Sequence, residues 1–303
     1  MYKEILVPLD GSELAEVALP YAEQLAGRLG SAVTLLHVCE SADEKYRHMH
    51  ELYLEKMVEA TKSHAEKLRN KTNGKAVRVK SALLDGHVAE QIVDYADSKR
   101  IGLIIMATHG RSGIRRWVLG DVAAKVVRAT QRPVVLIRAE GASPDVRKGS
   151  ILKKALVPLD GSSESEAVIP YIEQLAPNLD TEVILLQVVA PAYFAYSVPG
   201  ETIQMYHTAE ELEALTTKAG NYLENVVNAL KEKGIKAKYE IGVGAAADEI
   251  IRLADEMRAD VVAMSTHGRS GISRWAFGST ADKVLHAGNT PVMLVRAQAP
   301  STE

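Results

Sequence analysis

A chain of 303 residues is long enough for about two domains of ~150 residues each. Its 25% charged residues and net charge of −3 are ordinary for a globular protein, and no basic run stands apart from acids, which argues against a nucleic-acid partner. A single cysteine excludes an internal disulfide, and no apolar stretch reaches the ~20 residues of a membrane helix, so no membrane partner is expected.

In chain order, KEILVPLDGS (3–12) opens on an apolar run that reads as a strand. No charged segment followed by an apolar core precedes it, so no signal peptide is expected and a cytoplasmic location is the expectation. ELAEVALPYAEQLAGRL then places apolar residues at helical spacing. AVTLLHV (32–38) is a second strand, with Cys39 at its end read as a buried, inert thiol. A long polar helix is predicted over about 43–72, followed by VRVKSALL, VAEQIVDYADSK, GLIIMAT, DVAAKVVRAT and PVVLIRA, which alternate between strand and helix.

The series then begins again. KKALVPLDGS (153–162), VIPYIEQLA (168–176), EVILLQV (182–188) and ADKVLHAGNTPVMLVRA (281–297) repeat KEILVPLDGS, ALPYAEQLA, AVTLLHV and AAKVVRATQRPVVLIRA. The offset is 150 early and 158 late, so the second copy gained eight residues net in between. We read residues 1–139 and 151–299 as duplicated domains, joined by the Gly-, Ser-, Pro- and charge-containing linker EGASPDVRKGS (140–150). Strands alternating with helices predict an α/β fold: two tandem, doubly wound, five-stranded parallel sheets of flavodoxin-like order 3-2-1-4-5. The last strand of each copy, VVLIR or VMLVR, would be an apolar sheet edge, so the copies are expected to pair through it, with a homodimer a further possibility.

In that order the reversal lies between strands 1 and 4, and ligands bind where the order reverses. The loops there are the best-preserved stretches of the repeat: DGS (10–12, 160–162) after strand 1, and THGRSGIRRWVLG (108–120) or THGRSGISRWAFG (266–278) after strand 4. Recent duplication alone would also preserve loops, but the helices between them have diverged. Gly110 and Gly120, or Gly268 and Gly278, allow close backbone approach and positive φ. The second glycine opens a helix whose free N–H groups favour an anion, phosphate above all. Arg111 or Arg269 could add a charged contact, the Ser279 hydroxyl could donate to a phosphate oxygen, and Asp10 or Asp160 could accept from ribose hydroxyls. The alternative for each Asp is a turn or N-cap residue.

The chain has no G-x-x-x-x-G-K-[ST] motif, and the G-x-G-x-x-A string at Gly242, Gly244 and Ala247 follows the third strand, where a dinucleotide fingerprint does not belong. His48, His50 and His64 lie in the first long helix; the spacing of the first two puts them on different faces, so a solvated face is expected over a metal site. The aromatic stretch 191–211, with Tyr193, Phe194, Tyr196 and Tyr206, reads as a packed insertion, with a lid or partner surface as the alternative. Trp117 and Trp275, at matching positions, are expected to pack the phosphate loop or a domain interface.

VPLDGS, the two (A/S)THGRSG…G loops and the final PVVLIRA-type strand resemble the universal stress protein family over nearly the whole chain, as two tandem domains. The family's ATP-binding members carry G-x2-G-x9-G-[ST], so the resemblance implies a stress-response or regulatory module that binds ATP, or ADP or AMP, with Mg²⁺. The second copy matches as Ser265-x2-Gly268-x9-Gly278-Ser279 and the first as Ala107-x2-Gly110-x9-Gly120-Asp121. Both lack the first glycine, and Asp121 would set a carboxylate beside the phosphates. The resemblance further implies that Pro8, Asp10, Val38, Met106 and His109, and Pro158, Asp160, Val188, Met264, His267 and Thr280, line the sites. No evident general base is present, so hydrolysis is expected to be slow at most, and the second site is expected to be the better one. Rival readings are a slow ATP hydrolase, a scaffold without nucleotide, and AMP or cyclic AMP as ligand.

Overall fold

Nearly every apolar run forms a strand whose alternate side chains face opposite helical layers. The computed structural model describes residues 2–40, 44–69, 76–109, 119–138, 152–198, 201–268 and 278–297. The first copy runs β1 (Glu4–Pro8), α1 (Glu13–Glu16), α2 (Leu19–Leu29), β2 (Ala32–Cys39), α3 (Glu44–Lys67), β3 (Val79–Asp85), α4 (Val88–Ser98), β4 (Leu103–Ala107), α5 (Asp121–Ala129) and β5 (Val134–Ile137). The second runs β6 (Lys154–Pro158), α6 (Ser163–Glu166), α7 (Ile169–Leu179), β7 (Glu182–Val189), β8 (Ala192–Val198), β9 (Glu201–Tyr206), α8 (Ala209–Glu232), β10 (Ala237–Val243), α9 (Ala246–Glu256), β11 (Val261–Ser265), α10 (Ser279–Ala287) and β12 (Val292–Val295).

The strands form one sheet in the order β10-β7-β6-β11-β12-β5-β4-β1-β2-β3. Each half is parallel with the expected order 3-2-1-4-5, and the halves join antiparallel at β12 and β5, with Val292, Met293 and Leu294 opposite Leu136, Val135 and Val134. Ile5, Val7, Val33 and Leu35 pack toward α2 and α3, while Leu6, Leu36, Ile104 and Met106 pack toward α4 and α5. Both apolar layers continue across the seam into the second half.

Two expectations change here. The single first helix of each copy is broken into a short turn and a longer helix, because Pro20 and Pro170 sit at the second helical position, where proline fits a helix start but, without an N–H, disfavours a helix continuing from the preceding turn. The aromatic insertion is an antiparallel hairpin, β8 with β9, so the second copy carries two strands beyond the predicted five. The Tyr193, Phe194 and Tyr196 side chains, Trp117, Trp275 and the linker 140–150 lie outside the described residues, and Tyr206 is exposed. The segment between α8 and β10 is shorter than that between α3 and β3, which offsets part of the hairpin's length.

The seam carries reciprocal helix caps. Arg138, just after β5, donates from Nη2 to the carbonyls of Leu285 and His286 at the end of α10. Its counterpart Arg296, just after β12, donates to Arg128 O at the end of α5, 3.1 Å away. Each guanidinium answers the negative end of the other half's last helix. Tyr2 Oη also donates across the halves to Tyr171 O; burial, with Tyr171 adding, holds its phenol well above the usual tyrosine range, so it stays a neutral donor. Since a hydrogen bond to a charged group is worth about 1.5–3 kcal/mol, Arg138→Ala should lower the free energy of urea unfolding by about 2 kcal/mol. The more exposed Arg296→Ala should cost less.

Candidate functional site

The chain leaves β1 toward the α2 layer and leaves β4 toward α5 in the opposite layer, which opens a crevice between the two loops at the carboxyl ends of these strands. β6 and β11 repeat this arrangement. Gly11 and Gly161, at φ 83° and 81°, take the left-handed turn that L side chains disfavour. Ser12 and Ser162 follow as N-caps, accepting from the backbone N–H of Ala15 and Ser165 at 3.2 Å each.

The aspartates stand behind those caps. Asp10 Oδ1 accepts from Ser12 N at 2.9 Å and Ser12 Oγ at 2.6 Å; Asp160 Oδ1 accepts from Ser162 N at 3.0 Å and Ser162 Oγ at 2.5 Å. The N-cap is therefore the serine, and one oxygen of each aspartate orients it. The other oxygen of Asp160 faces the second loop: a Cβ at Gly268 would overlap Asp160 Oδ2. Only glycine lets the two sides of the crevice meet there. The second copy has one further brace, Asp160 N to Ser165 Oγ at 3.2 Å, where the first copy has Ala15.

Both long loops are pinched shut at their base. Gly120 N donates to Thr108 O at 2.8 Å, and Gly278 N donates to Thr266 O at 2.9 Å. A Cβ would stand 2.8 Å from Thr108 O at Gly120 and 3.3 Å from Thr266 O at Gly278. These glycines have φ −58°, so close approach, and not the anticipated positive φ, is what they supply. Each becomes the N-cap of a helix with no side-chain cap, leaving first-turn N–H groups facing the crevice mouth. The two helices then differ: α5 starts with the exposed carboxylate of Asp121, and α10 with the exposed hydroxyl of Ser279 followed by Thr280.

The other predicted residues fall in three groups. Pro8 and Pro158 end β1 and β6 half-buried, and Val38 and Val188 are partly buried near the ends of β2 and β7. Met106 and Met264 are buried in the layer under α5 and α10, with Ala107 and Ser265 buried after them, so their backbone is what the strand end presents. His109 and His267 sit 3.1 and 3.0 Å by Nδ1 from Thr108 and Thr266 Oγ1, and His267 N donates to Ser265 Oγ at 3.4 Å. Gly110, Arg111 and Arg269 lie outside the described residues. Ser12 and Ser162 close the DGS turns, and their capping role, with Ser165 beside it, goes beyond the residues expected from the sequence, although a serine at a strand–turn–helix junction is itself a cap signal.

Three other expectations concern residues away from the crevices. The Gly242–Ala247 string lies at β10, an outer edge of the sheet far from either reversal, and both glycines pack on Glu249. The three histidines of α3 do not gather: His48 is 78% exposed and lies 3.9 Å from Glu51, His64 meets Glu23 at 3.1 Å, and His50 stacks on His37 of β2. Cys39 is only half-buried.

The match to the model of the universal stress protein family covers residues 1–138 and again 152–296. The chain belongs to that family. A universal stress protein of Methanocaldococcus jannaschii is 28% identical over 155 residues, 46% of this chain and 96% of that one. The crystal structure of a universal stress protein from Archaeoglobus fulgidus DSM 4304 superposes with a TM-score of 0.65 at 18% identity, covering 97% of this chain and 96% of that one, and so shares its fold. A universal stress protein solved in complex with cAMP is 19% identical, covers 46% of this chain and 98% of that one, and has a TM-score of 0.35. No helix among the described residues of this universal stress protein is long and apolar enough to cross a membrane.

Proposed function

We propose that this universal stress protein binds an adenine nucleotide, ATP foremost, in the second-half crevice between β6 and β11, as a regulatory module whose first-half crevice binds it weakly. The observation that carries this reading is the contrast between the two helix starts. Both helices lack a side-chain cap after a glycine-pinched loop, which leaves N–H groups for a phosphate. In α10 those groups are joined by the Ser279 hydroxyl, whereas in α5 the Asp121 carboxylate already answers the positive end of the helix and repels an incoming phosphate.

Asp160 would accept from the ribose through Oδ2, the oxygen not used on Ser162, and its extra brace to Ser165 holds it in place. Mg²⁺ would arrive on the phosphates and neutralise part of their charge. Among the described residues, no carboxylate sits at the start of α10 before Asp282, so a metal there would be held by the nucleotide more than by the protein. Calorimetric titration of ATP with Mg²⁺ into nucleotide-stripped protein should show one site per chain. No heat of binding with ATP, AMP or cyclic AMP would support a scaffold in place of a nucleotide module. Steady phosphate release lost in Gly278→Val would support the hydrolase reading.

A further inference from the structure

The ends of β2 and α3 bring together three groups that the nucleotide reading does not use. His37 is buried, and its Nδ1 lies 2.8 Å from Leu9 O. A carbonyl can only accept, so Nδ1 carries the proton and Nε2 the lone pair. The His50 ring stacks on it with centroids 4.2 Å apart and planes 25° apart. Cys39 lies two residues along the same strand, so its side chain emerges on the same face as His37, under α3. One ligand atom from each of His37, Cys39 and His50 lies within 4.8 Å of the other two.

We infer that His37, Cys39 and His50 form a binding site for a borderline-soft divalent ion of the zinc class, built into the first half alone. Two imidazoles and a thiolate are the donor set such ions take, with a fourth position left for water or a ligand. Tetrahedral bonds of about 2.0–2.3 Å put ligand atoms about 3.5 Å apart, so the stacked rings need only tilt around a common centre to close the site. The Leu9 carbonyl fixes the tautomer and aim of His37, as second-shell acceptors do for metal-bound histidines. Arg47, held by Asp85 at 2.9 Å, lies within electrostatic reach of Cys39.

The second half is a built-in control. Gln187 and Val189 stand where β2 has His37 and Cys39. The register of the helix is set by a shared bond: Tyr53 Oη donates to Glu16 at 3.1 Å, as Tyr222 Oη donates to Glu166 at 2.7 Å. Three residues before each tyrosine stand His50 and Ala219. The fold therefore forms in the second half with none of the three ligands. A lone buried histidine bonded to a carbonyl would be plain core packing; a second imidazole and a thiol converging on it in only one copy is not required by that packing.

The test titrates Co²⁺ and then Zn²⁺ into the tag-free, chelator-stripped full chain. Wild type should take up one Co²⁺ with thiolate-to-cobalt charge-transfer absorption and intense tetrahedral visible bands, bleached by Zn²⁺. Cys39→Val should lose the charge-transfer band, and His37→Gln and His50→Ala should weaken binding at least about a hundredfold. All three import the residues of the second half, so the fold is expected to hold, as far-ultraviolet circular dichroism would show. His48→Ala should change nothing. Because Cys39 is the one cysteine in the chain, its alkylation rate, followed by intact mass, gives a second reading: Zn²⁺ should slow it in wild type and not in His37→Gln. Absence of the charge-transfer band in wild type, or Zn²⁺ protection that survives His37→Gln, would overturn the site.

Discussion

Ser279→Asp should abolish the tight nucleotide site, while Asp121→Ser should create a second one. The first substitution sets at the start of α10 the carboxylate that α5 already carries. Two unit charges about 4 Å apart at an effective dielectric near 20 repel by about 4 kcal/mol, roughly a thousandfold in affinity. A magnesium ion between them would recover part of that, so a loss of about a hundredfold or more is the expected calorimetric result. The helix itself should not suffer, because an acidic residue in its first turn favours the dipole. Ser279→Asp should thus leave unfolding unchanged or slightly strengthened while binding is lost, which separates an effect on the ligand from damage to the fold. Two equal sites in wild type would mean that Asp121 engages the nucleotide through the metal, and the assignment to the second half would fail.

The parts of this molecule that were legible in its sequence are those where local chemistry and repetition agree. Pro-Leu-Asp-Gly-Ser at the end of an apolar run reads as a strand running into a tight turn, and the structure puts a left-handed glycine and a capping serine there. The closely matching strand-4 loops point to the crevice, and Gly120 and Gly278 do open helices across it from the aspartates. The hairpin was half visible: β-rich runs flank Pro199-Gly200, a turn signal that the aromatic content obscured. The clustering of His37, Cys39 and His50 was not visible at all. His50 lies 13 residues beyond His37, and which face of α3 meets β2 depends on how Leu54 and Met57 pack beneath that helix. Spacing within α3 could say only that His48 and His50 point apart.

A chain ending at residue 139 should be a homodimer, whereas the full chain has spent that surface on itself. Val134, Val135, Leu136 and Ile137 are all buried, the first three pair with β12 of the second half, and Met293, the counterpart of Val135, is its partner across the seam. Reading each β12 residue as its β5 counterpart turns the observed register into Val134 opposite Leu136 and Val135 opposite itself. That is the pattern of a two-fold interface, self-complementary about Val135, so β5 of one copy can pair with β5 of another without a change of register. Arg138 has the same symmetry, because each copy would cap the end of the other's α5 as Arg296 now does. Light scattering on residues 1–139 should therefore give twice the chain mass at micromolar concentration, and Val135→Lys, which sets two ammonium groups on the axis, should prevent it. In the full chain the same substitution buries one unpaired charge in the seam and should cost several kcal/mol of stability. A folded, monomeric 1–139 would mean that β5 tolerates an open edge. If the half-chain pairs as expected, duplication has fused a ready-made two-fold dimer into one polypeptide, leaving each half free to diverge as Asp121 and Ser279 have.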